Sequence, residues 1–182
     1  VSFLDAVDVM APTKLAAQLE VLERSHAIGW TYCDVLMETV ATGATARASE
    51  RFGYASRALD GWLFPELIHG NFIPAIAPLV RRTALEVVGG FDERLTALED
   101  WDMWLRLSLI AEARYTPAVL VTYRIRPGGM SEDRARMDRN RFLVLDKINR
   151  TRPVALESLG NVGRRIIADT HNWLGKEAYA SG

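Results

Sequence analysis

Two adjacent carboxylates, Glu99 and Asp100, stand at the start of an aromatic helical segment within GGFDERLTALEDWDMWLRL, residues 89–107. Asp100 shares its helical face with Trp104 and Leu107, so apolar neighbours should raise its pKa, whereas the helix dipole stabilises a first-turn carboxylate. A carboxylate whose pKa is brought near neutral pH by these opposing effects can act as a general base. Acidic residues are also common in the first turn of any helix, so the local sequence leaves open a purely structural role for both.

Residues on either side predict how these carboxylates are positioned. Gly89 and Gly90 end a helix predicted over residues 83–88, because glycine adopts the left-handed conformation of a helix C-terminus without a Cβ penalty. Thr96 and Glu99 have the spacing of a capping box, in which each side chain satisfies one free backbone N–H. This spacing predicts that the next helix begins at Thr96 and carries the second carboxylate in its first turn.

A second pair of carboxylates, Asp5 and Asp8, follows the apolar run of residues 1–4 and precedes a helix predicted over residues 13–24. In α/β proteins, a strand that delivers carboxylates into a loop ahead of a helix is a usual place for a metal or phosphate site. The spacing alone fits a solvated turn equally well.

The remaining pattern predicts a mixed α/β chain. Apolar and β-branched residues predict strands over 28–36, 72–80 and 115–125, and helical periodicity predicts helices over 59–70, 133–150 and 164–174. Residues 39–57 contain few large apolar side chains, which predicts a mobile loop with at most a short strand. Asp102 and Arg106 stand four residues apart on the central helix and predict an ion pair.

Composition limits the function classes. The 182 residues are 49% hydrophobic and 25% charged, which is typical of a soluble globular domain. A net charge of −1 argues against a broad nucleic-acid-binding surface. The single Cys33 cannot form an internal disulfide, and no apolar run approaches the roughly 18 residues of a spanning helix, so we expect a cytoplasmic protein. Arginines in residues 133–152 form either a solvated face or a peripheral contact with the inner face of a membrane.

Three blocks, spread over roughly residues 1–148, resemble family 2 inverting glycosyltransferases of the GT-A fold. GGFDE followed by EDWD is similar to that family's "GGFDE…ED" signature, FLDAVD resembles its "FLDADD" block with the DXD motif, and YRIRPGGMS at residues 123–131 resembles its "YR.H..S.S" block. The resemblance implies an α/β chain with part of a GT-A fold, in which helices flank a mixed sheet and further helices follow at the C-terminus.

The resemblance also implies a reaction and its residues. A sugar would pass from a nucleotide-diphospho-sugar donor to a saccharide or glycoconjugate acceptor hydroxyl with inversion, in polysaccharide or glycoconjugate synthesis. Asp100 matches the residue that deprotonates the acceptor. The implied substrate-binding residues are Asp5, Glu99, Trp101, Arg124 and Arg126, and Asp5 and Asp8 would hold Mg²⁺ or Mn²⁺.

Two positions depart from the family pattern at this metal site. Val7 stands where the family usually has an acid, and Arg126 stands where a histidine often completes the site. Arg126 can itself supply positive charge, because a guanidinium binds phosphate oxygens through paired hydrogen bonds. The same changes fit a non-catalytic nucleotide-sugar or glycan binding module that retains the fold. A metal-dependent phosphohydrolase that uses Asp5 and Asp8 is a more remote alternative.

The resemblance divides the chain into residues 1–131, the C-terminal part of a GT-A domain, and residues 132–182, a C-terminal helical extension. The chain lacks an initiator Met and opens on an apolar run typical of a buried strand, so we expect a fragment whose nucleotide-binding half precedes it. A strand meant for the middle of a sheet would then expose its edge, which a homodimer would cover.

Overall fold

The computed structural model describes residues 1–54, 59–129 and 132–181. Residues 55–57 of the predicted mobile loop lie outside the described residues, as do Met130 and Ser131 at the end of the YRIRPGGMS block.

The described residues form a mixed α/β fold, as the sequence predicted. In chain order the strands are β1 (Val9–Met10), β2 (Ile28–Thr39), β3 (Ala44–Arg47), β4 (Pro78–Val80) and β5 (Glu112–Ile125). The helices are α1 (Lys14–Glu23), α2 (Ala48–Arg51), α3 (Phe64–Leu67), α4 (Arg82–Val88), α5 (Glu99–Leu107), α6 (Arg134–Thr151), α7 (Pro153–Glu157) and α8 (Asn161–Ser181).

Strand β2 is the centre of a mixed five-stranded sheet. It pairs in parallel with β5 and antiparallel with β3 and β4, and β1 pairs antiparallel with β5. The first eight residues of β2 are all buried, because elements cover both faces of this strand. An isolated bridge between Ser2 and Leu79 brings the N-terminal segment beside β4.

Aromatic side chains fix α5 against the sheet. Trp104 of α5 stacks on Trp30 of β2 with ring centroids 5.7 Å apart. The indole of Trp104 donates a hydrogen bond to the carbonyl of Ile73 at 3.0 Å, and the indole of Trp101 donates to Leu67 at 2.7 Å. These bonds satisfy the buried indole N–H groups and hold α5 against the end of α3 and the segment that follows it.

The C-terminal helices pack on the same core. Helix α6 and helix α7 contribute Val144, Leu145, Ile148 and Leu156 to the cluster that contains the tryptophans. Phe142 of α6 stacks on Trp173 of α8, with centroids 4.8 Å apart. Helices α6 and α7, from the predicted C-terminal extension, therefore share the hydrophobic core of the preceding residues.

The predicted helix over residues 59–70 is much shorter in the structure. Gly61 exchanges two backbone hydrogen bonds with Ala113 of β5, at 2.9 and 2.8 Å, so this part of the segment pairs with the sheet. Helix α3 begins only at Phe64, with Pro65 in its first turn, where proline is tolerated. The predicted strand over residues 72–80 likewise shortens to β4.

The predicted loop over residues 39–57 contains β3, the short strand that the sequence allowed, and also the short helix α2, which was not predicted. Strand β2 continues to Thr39 and turns back into β3. The buried carboxylate of Asp34 accepts hydrogen bonds from Arg47 Nε at 2.7 Å and from the hydroxyl of Ser49 at 2.6 Å. A charged group in the core thus fixes a segment with few apolar side chains of its own.

Lys14, the first residue of α1, is fully buried. Its ammonium donates to the hydroxyl of Ser2 at 2.8 Å and to the carbonyl of Pro78 at 3.1 Å. Burial lowers the pKa of Lys14 to about 8. The side chain therefore joins the N-terminal segment to β4, but it is harder to keep charged there than in water.

Lys14 should contribute a rise in the free energy of unfolding with pH between about 8 and 10, because the unfolded state then binds the proton that folded Lys14 has lost. The slope from this group approaches about 1.4 kcal/mol per pH unit. Lys14→Met should lack this contribution in urea denaturation curves measured across that range. The exposed Lys176→Met is the matched control and should keep it. Identical pH dependence in Lys14→Met and the unmodified chain would contradict the assignment.

Candidate active site

Asp100 is the second residue of α5 and is partly exposed. Its Oδ2 accepts a hydrogen bond from Asn71 Nδ2 at 2.8 Å, and its Oδ1 accepts one from the backbone N–H of Trp101 at 2.7 Å. The Oδ1 of Asn71 accepts from the N–H of Ile73 at 3.2 Å, which turns the amide N–H₂ toward the carboxylate. Asn71 therefore holds Asp100 in one orientation.

Burial raises the pKa of Asp100 to about 7. The hydrogen bonds from Asn71 and Trp101 oppose this rise, and the neighbouring charge of Glu99 adds to it. The sequence predicted the same opposition between an apolar environment and stabilisation at a helix start. A carboxylate with this pKa, in contact with solvent, can accept a proton at neutral pH.

The predicted capping box was wrong. Helix α5 begins at Glu99, and the residue before it, Leu98, adopts the left-handed conformation with φ of 60°. The Thr96 hydroxyl accepts instead from Asn140 Nδ2 at 3.1 Å, and the Thr96 N–H donates to Asn140 Oδ1 at 3.0 Å. Asn140 of α6 thus bonds the Thr96 groups that the predicted capping box would have used at the start of the helix.

A charge network lies behind Asp100. Asp102 is fully buried and accepts hydrogen bonds from Arg106 at 2.6 Å and from Lys147 at 2.8 Å, which confirms the predicted pair with Arg106. Lys147 also binds Asp92 at 2.8 Å, and Arg106 donates to the carbonyl of Gly90 at 2.6 Å. These contacts join the GGFD turn, α5 and α6.

The second group of carboxylates lies beside the end of β5. Asp8 Oδ1 accepts from the backbone N–H of Arg124 at 2.9 Å. The guanidinium of Arg124 donates to the carbonyl of Val7 at 3.2 Å and to Glu38 at 3.1 Å. The structure therefore brings the FLDAVD and YRIR blocks together, as the resemblance implied.

The groups around Asp8 do not fit a metal site built by the protein alone. Burial raises the pKa of Asp8, as does the charge of Asp5, while the charges of Arg124 and Arg126 lower it. In the described ranges there is no cluster of three or more His, Cys, Asp or Glu side chains that could hold a metal. A divalent cation needs about six oxygen ligands, and guanidinium groups repel it.

Aromatic contacts join the start of the FLDAVD block to the GGFDE block and to α5. Phe3, two residues before Asp5, packs edge-on against Phe91 of the GGFDE block at a centroid distance of 5.0 Å. Its ring also lies 6.0 Å from that of Trp104. The aromatic contact places the FLDAVD loop beside the turn that precedes α5.

The other predicted substrate-binding residues differ in accessibility. Asp5 and Arg126 are exposed, and Glu99 is half-buried. Trp101 is only 1% exposed and its indole is bonded to Leu67, so its side chain presents no surface to a substrate. The prediction that Trp101 binds substrate was wrong. Its position on α5, directly after Asp100, turns its side chain into the core.

Sequence reasoning missed Asn71, Asn140 and Lys147, which hold the site together. Asn71 offered one signal, since it is a polar residue directly before the apolar run of residues 72–80. Asn140 and Lys147 lie in a helix rich in charged residues, where nothing local separates them from solvated side chains.

Residues 1–145 match the family described as glycosyltransferase like family 2. The match covers well over half of the sequence, and the chain belongs to the family 2-like glycosyltransferases. It includes all three motif blocks and ends within α6. A search of curated proteins gave no significant match. Among the described residues, no helix combines the length and apolar character needed to cross a membrane.

Lys147→Met should lower the free energy of unfolding by about 1–3 kcal/mol, because it removes the ammonium that bridges the Asp92 and Asp102 carboxylates and leaves Asp102 with Arg106 as its one cationic partner. Urea denaturation measures the loss. Arg150→Ala is the control, since it removes only an exposed ion pair with Asp146 at 3.3 Å and should cost less than about 1 kcal/mol. Similar losses in both variants would show that the network is not important for stability.

Proposed function

We propose that this chain carries the catalytic base of an inverting glycosyltransferase, and that Asp100 is that base. The supporting observation is the Asp100 carboxylate itself, which is held by Asn71, has a pKa of about 7 and lies at the start of α5 in a family 2-like glycosyltransferase. No other carboxylate in the matched motifs combines these properties.

In this proposal the donor is a nucleotide-diphospho-sugar and the acceptor is a saccharide or glycoconjugate. The acceptor oxygen forms a bond to the anomeric carbon while the bond from that carbon to the diphosphate oxygen breaks. The acceptor proton passes to Asp100, and the electron pair of the broken bond leaves with the nucleoside diphosphate. Attack opposite the leaving group inverts the anomeric centre.

We further propose that Arg126 neutralises the leaving diphosphate. Its guanidinium is exposed beside Asp8 and makes no hydrogen bond to the described residues, whereas Arg124 is engaged by Val7 and Glu38. An arginine can bind two phosphate oxygens at once. No step here depends on a metal, and Mg²⁺ or Mn²⁺ held by Asp5, Asp8 and the diphosphate is the alternative to be tested.

A non-catalytic nucleotide-sugar or glycan binding module is the second candidate. The replacement of two expected ligand positions by Val7 and Arg126 favours it. Such a module would share the donor site but would need no catalytic base. The elevated pKa of Asp100 therefore favours the transferase.

We extend the proposal to the setting of the protein. Polysaccharide or glycoconjugate synthesis in the cytoplasm suits a nucleotide-sugar donor. Exposed Arg134 and Arg139 support a peripheral contact with an anionic membrane face. Exposed Val1 and Leu19 beside β4 support the packing of a second copy there.

Asp100→Asn should reduce the rate of transfer by at least about 10²-fold, because the acceptor proton then has no positioned base. Release of nucleoside diphosphate in the presence of acceptor measures the rate. As the pH is raised through about 7, kcat/KM should rise because Asp100 loses its proton.

Asn71→Ala tests the same assignment through pH. It removes a hydrogen bond that lowers the pKa of Asp100, so the acidic limb of the kcat/KM profile should move to higher pH. A purely structural role for Asn71 would lower the rate without moving this limb. Glu157→Gln, which changes an exposed side chain of α7, is the control and should leave both the rate and the position of this limb unchanged. An unchanged rate in Asp100→Asn would remove Asp100 from the mechanism.

Thermal shifts with UDP, GDP and dTDP sugars, each with Mg²⁺, Mn²⁺ or EDTA, test the role of Arg126. Ligand at about 100 times Kd stabilises by about 2.7 kcal/mol, which is a shift of several degrees. The shift should persist in EDTA and be lost in Arg126→Ala, while the exposed Arg165→Ala keeps it. A shift that requires metal would refute the arginine role, and no shift with any donor would count against a donor site in this chain.

A further inference from the structure

A groove with a volume of about 320 Å³ lies between α6 and α8. Cavities of this size accept small ligands. Its aromatic wall is the stacked pair of Phe142 and Trp173, whose ring planes are 12° apart. Both rings are half-buried, so the stack is supported by the core and still reaches the groove.

Polar side chains surround this aromatic wall. Asp169, Asn172 and Lys176 line the groove from α8, and the spacing of three and four residues places them on the same helix face as Trp173. Arg141 lines it from α6. Asn172 and Lys176 are exposed and form no hydrogen bond or ion pair with other described residues, so their donors are available to a ligand.

This combination suits a saccharide. The C–H faces of a sugar ring pack against aromatic rings, and its hydroxyl groups need both donors and acceptors around the rim. Asp169 accepts hydrogen bonds, Lys176 and Arg141 donate them, and the Asn172 amide does both. An apolar peptide face would leave these polar groups without partners.

Arg141 links the groove to the segment that holds the candidate base. Arg141 donates to the carbonyl of His69 at 3.1 Å, and its guanidinium lies 5.8 Å from the ring centroid of Trp101. His69 is two residues before Asn71, the hydrogen-bond partner of Asp100, and two residues span at most about 7 Å. A saccharide in the groove would therefore extend toward the acceptor side of the site.

We propose that the groove between α6 and α8 binds the saccharide portion of the acceptor, one or more units from the reacting hydroxyl. This inference rests on the proposed function. The family match ends at residue 145, whereas α8 begins at Asn161, so half of the groove lies outside the matched region. The groove thus selects the acceptor of this chain rather than an acceptor shared by its family.

The test is a glycan microarray with neutral and uronic-acid-containing oligosaccharides, followed by calorimetric titration of the strongest hit. The unmodified chain should bind at least one oligosaccharide. Trp173→Ala should weaken binding about tenfold or more. Because Trp173→Ala also removes the stack on Phe142, the double variant Asn172→Ala and Lys176→Ala, which keeps the stack, should show a similar loss. Tyr179→Ala, an exposed aromatic of the same helix outside the groove, is the matched control and should bind normally.

No binding by the unmodified chain, or unchanged binding in both groove variants, overturns the inference. Thermal shifts with nucleoside diphosphates separate this failure from failure of the proposed function. Donor binding without glycan binding refutes the groove alone. Glycan binding that depends on Trp173, combined with full transfer activity in Asp100→Asn, refutes the base and leaves the groove in place.

Discussion

The requirement to neutralise Asp102 governs the arrangement of the site. A fully buried carboxylate is unfavourable unless it is paired and hydrogen-bonded, and Arg106 and Lys147 meet this need from two different helices. Because Lys147 also binds Asp92, the same ammonium holds the GGFD turn. Asp100 lies on the helix that these contacts fix. The position of the candidate base therefore depends on the ion pairs of Asp102.

This view separates architecture from chemistry within the GGFDE…EDWD block. Gly89 and Gly90 both have positive φ, of 83° and 72°, and the turn they form presents the carbonyl of Gly90 to Arg106. Asp92 is held well below its usual pKa range by Arg94 and Lys147, so it stays charged and binds cations of the protein. Most of the motif therefore builds the turn and its ion pairs, which leaves Asp100 as the carboxylate suited to accept a proton.

Sequence alone predicted the elements whose pattern is local. Helix α1, most of β2 and β5, and α6 follow from periodicity, and the Asp102–Arg106 pair follows from a spacing of four. The failures occur where a distant partner decides the structure. Thr96 bonds to Asn140, 44 residues away, and Gly61 pairs with Ala113 of β5. No local pattern encodes such partners, and the same limit explains why Asn71 was missed at Asp100.

Helix α6 connects the two halves of the proposed reaction. One set of its side chains, Asn140 and Lys147, holds the segment before α5 and the buried charge behind it. Another set, Arg141 and Phe142, contacts the backbone near Asn71 and lines the groove shared with α8. A packed helix moves as a unit, because its core contacts resist continuous deformation. Under the two proposals, one helix therefore carries both a wall of the acceptor groove and side chains that support the candidate base.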